Sequence, residues 1–121
     1  MTVSQLRDVA NMCGMGVAIE IVGGKWKLHM MWVLDDGPKR FGEIRRLLDG
    51  ISEKVLAEQL RQLEDDDIVK RTVYAEIPPR VEYELTEQGW ELAKALESLE
   101  HWGEAVRERI LNSQTIEETN N

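Results

Sequence analysis

The sequence FGEIRRLLDGISEKVLAEQLRQL, residues 41–63, decides the predicted fold. It reads as two short helices separated by the tight turn Asp49-Gly50-Ile51. Ser52 is a good N-cap for the second helix, and Ile51 and Leu56 have the spacing of a hydrophobic staple around it. Two short helices joined by a glycine-containing turn are typical of a helix-turn-helix motif.

The apolar spacing assigns each helix of the motif an inner side. Phe41, Ile44, Leu47 and Leu48 are expected to face inward in the first helix. In the second helix the expected buried stripe is Leu56, Leu60 and Leu63. The side chains that the same geometry turns outward are Lys54, Ala57, Glu58, Arg61 and Gln62.

After the motif the apolar period changes from helical to two. Alternation over 69–74 and again over 81–85, on either side of Pro78-Pro79, predicts a β-hairpin with a proline-stiffened tip. A hairpin directly after the second helix adds a wing to the motif.

Helices are predicted on both sides of this unit. A short helix is expected over 4–12 and apolar helix or turn over 16–22, which Gly23-Gly24 breaks. The helix predicted for 25–36 is apolar around most of its circumference and is expected at the centre of the core. Thr86 can cap a last helix that runs from Glu87 to about Leu111.

The predicted fold is therefore mainly α with a small β-hairpin, a winged helix-turn-helix flanked by N- and C-terminal helices. One small domain cannot easily bury those flanking helices alone. We expect a single domain over 1–112 and a polar, disordered tail over 113–121.

The net charge of −8 argues at first against nucleic acid, but the charge is unevenly spread. Residues 23–81 hold 11 of the 15 basic groups and 11 acidic ones, whereas residues 82–121 hold 10 acidic and 3 basic groups. Attraction to DNA depends on the patch within one Debye length, about 8–10 Å, more than on the total. A DNA-binding surface on the helix-turn-helix therefore remains compatible with the acidic chain.

The second helix of the motif carries the side chains expected to read DNA. Its N-terminal turn offers Ser52, Lys54 and free backbone amides to a phosphate. Gln59 or Gln62 could pair with adenine, and Arg61 with guanine or a phosphate. A solvated charged face is the ordinary alternative for the same residues.

Other cations are candidates for the phosphate backbone. Lys39, Arg40 and Arg45 flank the first helix of the motif, with Arg46 next to them. Arg80 follows Pro78-Pro79 in the hairpin, where it could enter a minor groove or hold a phosphate.

Little in the sequence supports a catalytic site, a metal site or membrane association. His29 and His101 have no ligand-spaced partners, so neither a metal nor another cofactor is expected. Gly23-Gly24-Lys25 lacks the spacing of a phosphate-binding loop, and no catalytic constellation is present, so the protein is not expected to be an enzyme. No run of 18 apolar residues exists and the first residues do not form a secretory signal, so no membrane association is expected.

Cys13 is the one cysteine, which excludes an intramolecular disulfide and fits a reducing cytoplasm. It is either a packed small residue or a reactive thiol.

Several segments together resemble the HxlR-type family of winged-helix, MarR-like bacterial transcriptional regulators. The resemblance covers roughly residues 13–103. The matching segments are Gly23-Gly24-Lys25-Trp26, Gly37-Pro38-Lys39-Arg40-Phe41-Gly42-Glu43-Ile44, Gly50-Ile51-Ser52 with Lys54-Val55-Leu56, Leu60-Arg61-Gln62-Leu63-Glu64, Pro78-Pro79-Arg80-Val81-Glu82-Tyr83, Leu85-Thr86 and Trp102-Gly103.

The resemblance implies a homodimer held by the N- and C-terminal helices and bound to a near-palindromic double-stranded DNA operator. It also implies that the helix after Ser52 enters the major groove. Cys13 matches the cysteine with which several members sense oxidants or electrophiles, although Gly14 replaces the usual proline after it. Asp67 stands where the family has glycine, so it must adopt a glycine-like conformation.

Two alternatives remain open from the sequence. The winged helix could serve as a protein-interaction module without DNA binding, since Glu58 lies among the proposed DNA contacts and the chain is acidic. A small-molecule effector could bind an apolar pocket at the dimer seam near Trp26, Trp32 or Trp90, although aromatic residues at helical spacing are more often core.

Overall fold

The computed structural model describes residues 9–120, with side chains up to residue 115. This part of the chain contains five α-helices and one antiparallel β-hairpin. The elements are α1 (Gly14–Val22), α2 (Lys27–Val33), α3 (Phe41–Leu47), α4 (Glu53–Asp65), β1 (Val69–Tyr74), β2 (Arg80–Leu85) and α5 (Glu87–Asn120). The element order confirms the predicted winged helix-turn-helix with helices on both sides.

Helix α4 forms as its sequence predicts. The Ser52 hydroxyl accepts a hydrogen bond from the Val55 backbone N–H at 3.1 Å and so caps the helix. Leu56, Leu60 and Leu63 are at most 1% exposed. Because this stripe packs into the core, the opposite side of α4 is held toward solvent.

The core lies between α2, α3, α4 and the hairpin. Its fully buried residues include Met30 and Leu34 from the α2 region and Ile44 from α3, joined by Tyr83 and Leu85 from β2. Burial of such side chains stabilises the fold by about 1.5–3 kcal/mol each relative to exposure. The motif and the wing therefore share one core.

Two expectations about inward-facing residues were wrong. Helix α2 is not buried all round, because Trp32 is 70% exposed and Leu28 is also exposed. Leu47 in α3 is exposed rather than inward, since the helix ends there and Leu48 takes the buried position. The apolar face of α2 that the domain leaves open borders α5.

The hairpin is hydrogen-bonded to the segment just before α3. Its register pairs Val69 with Leu85 and Tyr74 with Arg80. On the other edge of β2, Lys39 exchanges two backbone hydrogen bonds with Tyr83, with N···O distances of 2.9 and 2.8 Å. The wing and the helix-turn-helix are therefore connected by backbone as well as by the core.

The junction between α4, the hairpin and α5 contains two special positions. Asp67 has φ +60°, which confirms that it adopts the conformation usually taken by glycine. The Thr86 hydroxyl donates to the Ile68 carbonyl at 3.2 Å and accepts from Gly89 N–H at 2.9 Å, which caps α5. A Cβ atom at Gly89 would lie 2.3 Å from the Ile68 carbonyl oxygen, so this close approach requires glycine.

The ends of the chain differ in part from expectation. Helix α5 continues to Asn120 instead of ending near Leu111, so the predicted end of this helix was wrong. The disorder expected over 113–121 stays a prediction. The helix predicted over 4–12 falls partly outside the described residues, which begin at residue 9. In the described part of that range, Val9–Asn11 form one 3₁₀ turn.

Within the described part of the chain, no helix is both long and apolar enough to cross a bilayer.

Candidate nucleic-acid interface

The exposed side of α4 carries the first group of candidate DNA contacts. Lys54, Glu58 and Arg61 are all exposed there. Lys54 and Arg61 are separated by two helical turns, so they lie on the same side, about 10 Å apart along the axis. Among the side chains that the structure describes, neither of these cations has an ion-pair partner. The helix thus presents two available positive charges with one carboxylate between them.

Gln59 and Gln62 flank this exposed side. Both are half-buried, because they lie between the leucine stripe and the solvent-facing residues. Lys54, Arg61 and Gln62 therefore share one helix surface, as the spacing predicts, whereas Gln59 lies about 140° around the axis from Lys54, beside the buried stripe. Ser52 lies at the start of the same helix, where its hydroxyl oxygen is engaged with the Val55 N–H.

Arg45 connects α3 to the start of α4. Its guanidinium donates to the Glu53 carboxylate at 2.9 Å, and its Nε donates to the Ile51 carbonyl oxygen at 3.5 Å. The pair neutralises a carboxylate in the first turn of α4. Arg45 consequently connects the two helices of the motif through a solvent-exposed ion pair.

The residues before α3 contain one paired and one unpaired cation. Lys39 is mostly buried and bonded to Asp36, and this hydrogen bond holds the pKa of the Asp36 carboxyl below its usual value. Arg40 is exposed, and its backbone N–H donates to Glu43 Oε1 at 3.2 Å. Arg40 and Arg46 are exposed cations without an ion-pair partner among the described side chains.

Arg80 occupies a different position from the one its sequence context suggests. It is the first residue of β2, opposite Tyr74, and lies at the base of the loop over 75–79 rather than at its tip. Its guanidinium contacts Glu76 at 3.2 Å and Glu82 at 3.3 Å. The same guanidinium lies over the Tyr74 ring, 4.0 Å from the ring centroid.

Two exposed cations on β1 were not among the residues predicted to bind DNA. Lys70 is opposite Glu84 and Arg71 is opposite Tyr83 in the hairpin. Burial raises the pKa of Glu64 at the end of α4, and the nearby Arg71 opposes that rise. Strand alternation predicts the place of these two residues in the hairpin but not the direction in which the whole hairpin faces.

Cys13 is exposed in the single chain that the structure describes. It forms the N-cap of α1, where its Sγ accepts a hydrogen bond from the Gly16 backbone N–H at 3.3 Å. Cysteine reactivity is favoured by exposure and by helix N-termini. The thiol is therefore within reach of small reagents from solvent.

A second surface, away from the motif, is apolar. A groove of about 740 Å³ lies between α2 and α5, and its floor contains Met31 and Leu96 with Trp32 at its edge. Of the three tryptophans considered for an apolar pocket, Trp32 lines this groove, whereas Trp26 and Trp90 do not. Further exposed apolar side chains on the flanking helices are Met15, Ile19, Leu99, Trp102, Ile110 and Leu111. Apolar patches of this extent usually mark interaction surfaces.

The family comparison agrees with this architecture. The model of the HxlR-like helix-turn-helix family matches residues 21–111. The HTH-type transcriptional regulator YdeP of Bacillus subtilis is 43% identical over 98 residues, which cover 81% of this chain and 77% of YdeP.

Solved structures give the same result. A protein assigned to the MarR family of transcriptional regulators from Enterococcus faecalis V583 has a TM-score of 0.75 at 40% identity, covering 92% of this chain and 97% of that one. The redox regulator HypR in its reduced form has a TM-score of 0.77 at 40% identity, covering 83% of this chain and 99% of HypR. With a family model over most of its length and relatives of this identity, the chain belongs to the HxlR-like helix-turn-helix family, and it is a transcriptional regulator with a helix-turn-helix DNA-binding domain.

Proposed function

We propose that this protein is a homodimeric regulator that binds a specific double-stranded DNA operator. The observation that carries the proposal is the exposed side of α4, where Lys54 and Arg61 lie on one side without carboxylate partners among the described residues. A helix whose opposite face is locked in the core can be held in a major groove at a fixed angle.

Within this proposal the residues of α4 divide into two roles. Arg61, Gln59 and Gln62 read base edges, because guanidinium and amide groups match guanine and adenine in the major groove. Lys54 and the amides that follow the Ser52 cap hold a phosphate. Arg40 holds the phosphate backbone beside α3.

Lys39 and Arg45 have a less direct role in the same interface. Each is already bonded to a carboxylate, Asp36 and Glu53 respectively. By neutralising these carboxylates they lower the repulsion that an approaching phosphate meets. They also hold the backbone around α3, as the Arg45 contacts with Glu53 and Ile51 illustrate.

The dimer forms through the apolar surface of the flanking helices. In the dimer, the α2–α5 groove and the exposed apolar side chains of α1 and α5 in one copy pack against the same surface of the other copy. This contact removes apolar area from water. A two-fold dimer presents two α4 helices to half-sites about 34–36 Å apart, or a multiple of that distance. The acidic α5 helices then face away from DNA and suppress nonspecific binding. Binding to the chromosome places the protein in the cytoplasm.

The dimer has a direct mass test. Leu99→Glu introduces a charge into the exposed apolar surface of α5 and is expected to give a monomer in light scattering after size exclusion. Ser98→Glu adds the same charge at the neighbouring exposed position and is expected to remain a dimer. Equal masses for the two variants would contradict this use of the surface.

DNA binding is tested with labelled duplexes from the region upstream of the chain's own gene and a scrambled duplex of the same composition. We expect preference for one native duplex and a fall of log K with log salt of roughly −5 to −8, as for ~6–9 phosphate contacts. A slope near zero or equal affinity for all duplexes would remove the proposal. That outcome would favour the alternative, a protein-interaction module that uses its acidic surface.

We further propose that Cys13 makes DNA binding responsive to oxidants. The exposed thiol at the start of α1 supports this, as does the similarity to HypR, a redox regulator solved in reduced and oxidised forms. With one cysteine per chain, loss of two electrons to a thiol oxidant such as diamide can join two thiols of different chains in a disulfide. Diamide should change operator binding of the wild type and leave Cys13→Ser unchanged, and an equal response of both would show that Cys13 is not the sensor.

A further inference from the structure

The surroundings of Arg80 on the wing distinguish it from the other candidate DNA contacts. Its guanidinium is held on three sides, by the carboxylates of Glu76 and Glu82 and by the ring of Tyr74. Only 30% of its side chain is exposed. Glu76 belongs to the loop over 75–79 and Glu82 to β2, so one guanidinium joins the loop to the strand that follows it.

The local charge around Arg80 is unfavourable for a phosphate. One positive charge lies between two carboxylates, so a phosphate that approached Arg80 would meet a net negative group. It would also have to replace ion pairs with N···O distances of 3.2 and 3.3 Å. Lys54 and Arg61 on α4 form no ion pair among the described residues, so a phosphate or base would not have to replace one there.

The geometry points to Arg80 as a positioning residue that holds the wing loop, rather than as a contact to DNA. The loop it holds carries Ile77, Pro78 and Pro79 at its tip, all exposed, with Ile77 fully so. The wing thus presents a rigid apolar tip to the duplex, and Arg80 acts by fixing the position of that tip. This inference rests on the proposed DNA binding and revises the part that the wing arginine has in it.

Arginine suits this role better than lysine. Its planar fork offers several N–H donors that can serve two carboxylates at once, and it stacks on an aromatic ring. Tyr74 is the cross-strand partner of Arg80, and the Glu76 backbone N–H donates to the Tyr74 carbonyl at 2.9 Å. A lysine ammonium keeps the charge but cannot maintain the two ion pairs and the stacking together.

The two roles of Arg80 predict opposite effects when its carboxylate partners are neutralised. If Arg80 contacted phosphate, Glu76→Gln and Glu82→Gln would release it and tighten DNA binding. If Arg80 positions the loop, both variants weaken binding. The control is Glu84→Gln, which removes the same charge from the same face of β2 and has no contact with Arg80.

The test measures affinity for the upstream duplex as a function of salt, using the full-length chain. We expect Glu82→Gln to bind roughly fivefold more weakly than Glu84→Gln, the loss corresponding to one partly buried ion pair. Arg80→Lys should weaken binding roughly five- to tenfold despite the retained charge. Arg80→Gln should leave the salt slope unchanged, whereas loss of a phosphate contact would reduce it by about 0.9 per subunit.

A measurement without DNA separates positioning from contact. Hydrogen exchange of the amides of 75–77 in the free protein should be faster in Glu82→Gln and Arg80→Lys than in Glu84→Gln. Tighter binding by Glu82→Gln than by Glu84→Gln, or a reduced salt slope in Arg80→Gln with unchanged exchange, would overturn the inference. If the wild type fails to bind any duplex, the proposed function fails instead, and the exchange result still decides whether Arg80 holds the loop.

Discussion

Helix α4 and the wing each carry an arginine that the sequence offers as a DNA contact, but the two arginines have different surroundings. Arg61 on α4 is exposed and has no ion-pair partner among the described side chains, whereas Arg80 on β2 is bonded to two carboxylates and stacked on Tyr74. In the sequence both look like equal candidates for DNA. The difference teaches that the neighbours of a cation, more than its presence, decide whether it can bind a ligand.

The first prediction removes the scaffold on which α4 depends. Leu60 is 1% exposed and lies at the middle of the buried stripe of α4. Leu60→Ala should lower the free energy of unfolding by about 2–5 kcal/mol, because it leaves a cavity in a packed core. Urea denaturation measures the loss, with exposed Ala57→Ser as the control on the same helix. A loss below about 1 kcal/mol would show that the stripe does not anchor α4.

The second prediction concerns the cation without a carboxylate partner. Arg61→Gln should weaken operator binding by about 1–3 kcal/mol and leave the fold intact, because a base or phosphate contact is lost. Arg109→Gln removes the same charge from exposed α5 and should have little effect on affinity. Fluorescence anisotropy at fixed salt compares the two. Equal affinities for these variants would remove α4 from the interface.

A smaller effect is expected at the start of α4. Ser52→Ala removes the hydroxyl that accepts from Val55 N–H, and loss of such a cap costs about 0.5–2 kcal/mol of stability. Ser98→Ala, on the exposed side of α5 and away from any helix start, is the control. Thermal unfolding checks the difference, and identical midpoints would mean that the cap contributes nothing.

The smallest predicted effect is a pH-dependent change in stability at Glu64, where α4 meets the wing. Burial raises the pKa of Glu64 above its usual 4.5, so its charged form is disfavoured in the folded protein. The stabilising contribution of the protonated group is complete below pH 4.5 and is lost as the pH rises through the raised folded pKa. Glu64→Gln should therefore be slightly more stable than the wild type at pH 7, by roughly 0.5 kcal/mol or less, and the difference should shrink toward pH 4.

Urea titrations at pH 4 and pH 7 measure this difference. Glu58→Gln, on the exposed side of the same helix, controls for the removal of one negative charge. A gain from Glu64→Gln that is the same at both pH values would contradict burial as the cause.

Much of the fold follows from local sequence signals. The Ser52 cap, the leucine stripe of α4, the strand alternation and the glycine-like conformation of Asp67 all agree with the structure. These features depend on neighbours within a few residues along the chain. Periodicity and capping chemistry suffice to predict the first three, whereas the conformation of Asp67 was expected from the family resemblance.

The candidate site was predictable only in part. Lys54 and Arg61 share one surface because helical geometry fixes their separation. The partners of Arg45 and Arg80 were not predictable, because a strand register and a helix crossing bring these groups together. The exposure of Trp32 and Leu47 was missed for the same reason, since periodicity places side chains around an axis but does not say which sides find a partner.

The sequence by itself determined the order of the elements, the cap and stripe of α4, and the family to which the chain belongs. Only the tertiary structure decided which cations remain available to a ligand and which apolar sides stay open. The physical reason is the distance along the chain over which each interaction acts. Capping and periodicity act within one or two turns of the chain, whereas ion pairing and burial depend on distances between segments that only the folded core brings together.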